Sequence, residues 1–291
     1  MKGLGIIAMH GEELHLFGLA ISFESLIVPS LALAAALYFW GAFRNWRSAG
    51  GGRGIRYEQA GAFAAGLLVT GVALASPLEG LVEAFFSAHM IQHMLLMLVA
   101  APLITLGAAP QAFLWALPRK SANALARGWG RSGGLARAWG WVTALRPAVI
   151  LFAGVVWVWH APAAYQAALE SQLMHAFEHI TFLLAALLFW WAVLKEVRRR
   201  ERGGALMAAL GFTMFQMGLL GGLINLARER LYPFYEGGSL LGWRLTALED
   251  QQLAGLVMWL PGGILFFVLL LLYGMAWLEQ AEERSGAPRE M

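Results

Sequence analysis

Residues 87–107 read SAHMIQHMLLMLVAAPLITLG. The run contains no Asp, Glu, Lys or Arg, and its 21 residues match the roughly 20 that a helix needs to cross a hydrocarbon core. Two histidines, His89 and His93, stand four positions apart, so they share one helix face one turn apart. Ionisable groups inside a membrane span are costly and mark function by default. One stretch thus predicts a membrane helix and places a candidate site on it.

Outward from this stretch the apolar character persists. The chain is 59% hydrophobic and 13% charged, against roughly 45–50% and about 25% in soluble domains, and its mean hydropathy is +0.61. Seven apolar runs stand out, at approximately 21–43, 58–76, 87–107, 147–161, 172–194, 204–226 and 252–277. The predicted fold is all-α, a polytopic membrane helix bundle of about seven transmembrane helices in a single integral membrane domain over residues 1–291. The fourth run is short and Trp-rich. The opening residues MKGLGIIAMHGEELHLF lack an apolar core ending in a small-residue cleavage site, so the first span is expected to be retained. There are no cysteines, which excludes disulfides, thiolate catalysis and cysteine-based zinc sites.

The basic residues sort by connection. Seventeen Lys and Arg fall in 44–57, 118–146, 195–203 and the C-terminal tail, against four (Lys2, Arg228, Arg230 and Arg244) on the other side. The positive-inside rule then predicts an outer N-terminus and a cytoplasmic C-terminus. It also accounts for the pI near 9.4 without nucleic acid as a partner. The 118–146 connection mixes Arg with Trp and Leu around a Gly-rich break. It reads as a cytoplasmic interfacial helix against membrane lipid, with a soluble partner-binding loop as the alternative.

On this topology all seven histidines lie at or near the outer face. His10 and His15 precede the first span. His89 and His93 open the third, His160 ends the fourth, and His175 and His179 open the fifth, again four apart. Two such pairs on helices running the same way can present four imidazoles to one point. His10 and His15 read as interfacial or tail residues instead. Met90, Met94 and Met97 form a neighbouring stripe, and Met174, Met214, Met217 and Met258 lie in later spans. Methionine is more often packing than ligand, but beside histidines thioethers favour copper; zinc stays open. Glu178, three after His175, is placed to orient a ligating imidazole. Asp250 reads either as a supporting group or as a helix cap. Gln92 and Gln216 read as interhelical hydrogen-bonders, and Glu24 lies near the outer end of the first span.

The segments SPLEGLVEAFFSAHMIQHMLLMLVAAPLITLGAAP (76–110), WVWHAP (157–162), LMHAFEHITFLLAALLFWW (173–191) and DQQLAGLVMWLPGG (250–263) resemble the CtaG-like cytochrome c oxidase assembly factors, bacterial inner-membrane proteins of about seven spans. The resemblance runs from the second span to the last. It implies a role in maturing a haem–copper oxidase by supplying copper at the outer face, with oxidase subunits and membrane lipid as partners. The family's histidine positions correspond here to His89, His93, His160, His175 and His179, with Asp250 and Met258 in the last signature. The expected ligand set is these five histidines with Met90, Met94 and Met258, backed by Glu178 and Asp250. No nucleophile–base pair or phosphate-cradling loop is evident, so no catalytic role is expected. Competing readings are a haem protein with axial histidines from the third and fifth spans, a copper transporter, and a purely structural chaperone.

Overall fold

The computed structural model describes residues 14–16, 19–21, 23–131, 133–199, 203–240 and 243–285. His10, Lys2, Arg200, Arg202 and Arg289 lie outside these, as do the side chains of His15 and Glu24. The helices are α1 Phe23–Ala49, α2 Tyr57–Ala75, α3 Leu78–Val82, α4 Phe86–Met94, α5 Ala101–Leu106, α6 Ala109–Ala116, α7 Arg119–Arg131, α8 Gly133–Val142, α9 Leu145–Trp159, α10 Pro162–Glu170, α11 Gln172–Arg199, α12 Gly203–Asn225 and α13 Ala247–Ser285. A π-helical turn, Leu95–Ala100, joins α4 to α5 into one span. Among the described residues there are also two antiparallel hairpins, β1 Leu14–Leu16 with β2 Leu19–Ile21, and β3 Gly237–Leu240 with β4 Trp243–Thr246.

Among the described residues six helices are long and apolar enough to cross a membrane, and the pair α8 and α9, bent by 64°, makes a seventh if counted as one span. This is the predicted all-α bundle. The short fourth span has a simple cause. Fifteen residues of α9 rise only about 22 Å, less than the roughly 30 Å hydrocarbon core. Large apolar side chains point outward all around the bundle, with Leu68 and Ile150 both 69% exposed, as lipid-facing surfaces require.

The main core lies between α4, α9, α11, α12 and α13, where Phe152, Phe182, Phe189, Trp190 and Phe266 are buried. Trp190 stacks on Phe266 and Phe152 on Phe189. The α12–α13 crossing is set by glycine: a Cβ at Gly255 would meet the Gly221 carbonyl and the Asn225 nitrogen at 2.5 Å. Small residues of this kind let membrane helices approach closely. Gln92 Nε2 donates to the Ala73 carbonyl of α2, and Trp157 Nε1 donates to Gln216 Oε1, tying α9 to α12. A smaller cluster packs α1, α2 and α6, with Tyr38 stacked on Phe63 and its hydroxyl on the Gly107 carbonyl.

Candidate metal centre

Residue 250 fixes where the third span starts. Asp250 accepts hydrogen bonds from the Phe86 and Ser87 amides at 2.6 and 3.2 Å and from the Ser87 hydroxyl. These are first-turn donors of α4 that lack partners within the helix, so Asp250 caps a helix 163 residues away. The rest of the DQQ triplet fixes the loop before α13. Gln251 accepts from the Leu231 amide and donates to the Glu229 carbonyl, while the Gln252 carbonyl accepts from Asn225. That loop carries Tyr232 and Tyr235 against Phe86.

With α4 anchored, His89 and His93 face the first turns of α11. His89 Nε2 lies 3.3 Å from His175 Nε2 and 3.6 Å from Glu178 Oε2. His93 Nε2 lies 3.7 Å from Glu178 Oε1. The His179 ring is 5.2 Å from that of His93 and 5.7 Å from that of His89. One donor atom from each of His89, His175, Glu178 and His179 falls within 4.8 Å of the others. His160, at the end of α9, directs its Nδ1 at the Val156 carbonyl (2.7 Å), which leaves Nε2 facing Met90 Sδ at 3.3 Å. Its ring is 6.2 Å from that of His93.

All five expected histidines, together with Met90 and Glu178, therefore meet at one end of the bundle. Glu178 sits between the imidazoles of α4. Met94 and Met258 are buried in the main core, and among the described residues neither has a polar contact with the histidines. Asp250 stands behind the centre through α4.

The polar atoms here lack ordinary partners. His93 Nδ1 and Nε2, His179 Nε2 and both carboxylate oxygens of Glu178 are buried with no hydrogen-bond partner among the described residues. An orphaned buried polar atom costs about 1–3 kcal/mol, more if charged, so the set rivals the whole net stability of a typical domain, about 5–15 kcal/mol. A bound cation would resolve the conflict, because it would accept lone pairs that no donor among the described residues reaches. The spacings suit this. Two donors about 2.1 Å from one tetrahedral ion are about 3.4 Å apart, close to the 3.3, 3.6 and 3.7 Å found here.

Three residues that sequence reasoning missed support the centre. The Tyr165 hydroxyl of α10 lies 2.6 Å from His89 Nδ1, and Tyr235 lies 3.2 Å from the same nitrogen and 2.9 Å from the Tyr165 oxygen. The Tyr232 hydroxyl donates to the His160 carbonyl. Burial pushes all three phenols above their ordinary value, so they stay protonated at physiological pH. The one sequence signal was that half of the six tyrosines lie in connections between spans, Tyr165 between α9 and α11 and Tyr232 and Tyr235 between α12 and α13.

A multi-span helix bundle closed at one end by a buried imidazole–carboxylate cluster defines a class, integral membrane proteins with a donor set of metal-ligand type. The model of the cytochrome c oxidase caa3 assembly factor family (Caa3_CtaG) matches residues 36–280. The chain belongs to that family, and the matched range holds every residue of the cluster. No curated protein and no solved structure matches it.

Proposed function

We propose that this chain holds a copper ion at its His/Glu centre and passes it to a haem–copper cytochrome c oxidase during assembly. The observation that carries the reading is the convergence of partnerless imidazole and carboxylate atoms at the spacing of ligands on one ion. Family membership supports the destination, and donor chemistry supports the cargo. Imidazole suits copper in either oxidation state, and the Met90 thioether beside His160 adds a soft donor for the cuprous ion. Glu178 offsets charge where a bare cation would be costly.

Transfer needs a way in and out. His175 is only partly buried and borders a narrow cleft whose lining includes Glu79, Glu83 and Gln172. We read the chain as a carrier and not an enzyme, seated in a bacterial inner membrane with this end facing outward, as the distribution of basic residues suggests. The 3.3 Å between the Nε2 atoms of His89 and His175 favours an ion over a haem, whose macrocycle would have to part α4 from α11.

The test is complementation of cells lacking the chain. Wild type is expected to restore a copper-replete oxidase. The variant His93→Ala/His179→Ala, present in the membrane at the same level, should leave the oxidase copper-depleted and its activity at least about tenfold lower. Full restoration by that variant would overturn the proposal.

A further inference from the structure

The end of the bundle opposite the histidines carries a second feature that metal handling does not use. From His175 to Arg198 along α11 is about 35 Å at 1.5 Å per residue. There α7 and α8 fold back beside α6 and α11, and two clefts of roughly 810 and 540 Å³ share Pro110, Trp139 and Trp191 as a common wall. The larger is almost wholly apolar, lined by side chains that include Phe113, Leu125 and Trp129. Leu125, Trp129 and Trp139 are 53, 45 and 46% exposed, so protein packing leaves much of this lining uncovered. The smaller cleft ends among cations: Lys195, Arg198 and Arg199 line it, with Gln111, Thr105 and Thr143 beside them. Among the described residues no carboxylate pairs with these three, and the neighbouring Glu196 lines a separate cleft beside Arg146.

From this juxtaposition of apolar cleft and cationic mouth we infer that the chain binds an anionic phospholipid, its acyl chains along Phe113, Leu125 and Trp129 and its phosphate at Lys195, Arg198 and Arg199. The charge is complementary and the ligand class is already present in the surrounding bilayer. Positive charge at this end follows from topology alone, but topology does not require it to gather at the mouth of a cleft walled by tryptophans. Each basic residue near an anionic lipid surface adds to its attraction for anionic headgroups. Losing three together should therefore lower affinity by at least about tenfold.

Native mass spectrometry of the full chain in detergent, titrated with phosphatidylglycerol or phosphatidylcholine, tests this. Wild type is expected to take up phosphatidylglycerol at least about tenfold more tightly. Lys195→Gln/Arg198→Gln/Arg199→Gln should abolish that preference. Gly140→Leu provides a variant with every charge intact. Gly140 lines the smaller cleft and a Cβ there meets nothing within 4 Å, so a leucine adds bulk to that lining without a backbone clash, and uptake of phosphatidylglycerol should fall. Equal uptake of the two lipids by wild type, or uptake unchanged in both variants, would overturn the inference. So would displacement of the bound lipid by inorganic phosphate alone, which would mark a site for free anions.

Discussion

His89 stands between two kinds of neighbour. Its Nδ1 meets the Tyr165 hydroxyl at 2.6 Å, and its Nε2 faces His175 and Glu178. A proton held on Nδ1 and donated to the Tyr165 oxygen leaves the Nε2 lone pair for an ion, the usual way a supporting group fixes a ligand's tautomer. Because burial keeps the phenols protonated, Tyr165 can in turn donate to Tyr235, and the chain of contacts stays intact across physiological pH. Tyr165→Phe removes that acceptor with little change in volume. Copper affinity is expected to fall about 10- to 100-fold while the protein stays folded, as chelator competition would measure; unchanged affinity would contradict this role. The histidines were legible in the sequence because i,i+4 spacing survives folding unchanged. The tyrosines were not, since Tyr235 reaches His89 across 146 residues from a connection without periodicity.

At the scale of elements, what the sequence made legible was what length and composition determine. The spans at 87–107 and 172–194 correspond to α4 through α5 and to α11 within a few residues. The 118–146 connection, read as an interfacial helix, is two helices, α7 and α8, the second bent sharply against α9. Three features left no periodic signal. The π-helical turn precedes Pro102, which has no N–H to donate and whose ring crowds the carbonyl four residues back; a widened turn accommodates it. The β3–β4 hairpin depends on Gly237 at φ 80°, a conformation open to glycine but unannounced by neighbouring residues. The capping of α4 by Asp250 joins segments that adjoin only once α13 is packed. The sequence left Asp250 between supporting group and helix cap, and in the structure it caps the start of α4, a helix other than its own.

For the whole molecule, seventeen of the 21 basic residues fall in connections assigned to one side, and the five clustered histidines gather at the other end of the bundle. If the basic end is cytoplasmic, a single cysteine in place of Ser239, in the hairpin beside Tyr235, should react with a membrane-impermeant maleimide in intact cells, and one in place of Ser48 should not. The reverse pattern would turn the centre toward the cytoplasm. The central claim is that the buried imidazoles hold copper. Its most direct measurement is the copper content of the purified chain after loading under reducing conditions, for wild type and for His89→Ala/His93→Ala/His175→Ala/His179→Ala. Wild type should retain copper in a fixed ratio to protein, and the folded variant should retain almost none. Equal copper in both, or none in wild type, would contradict the account.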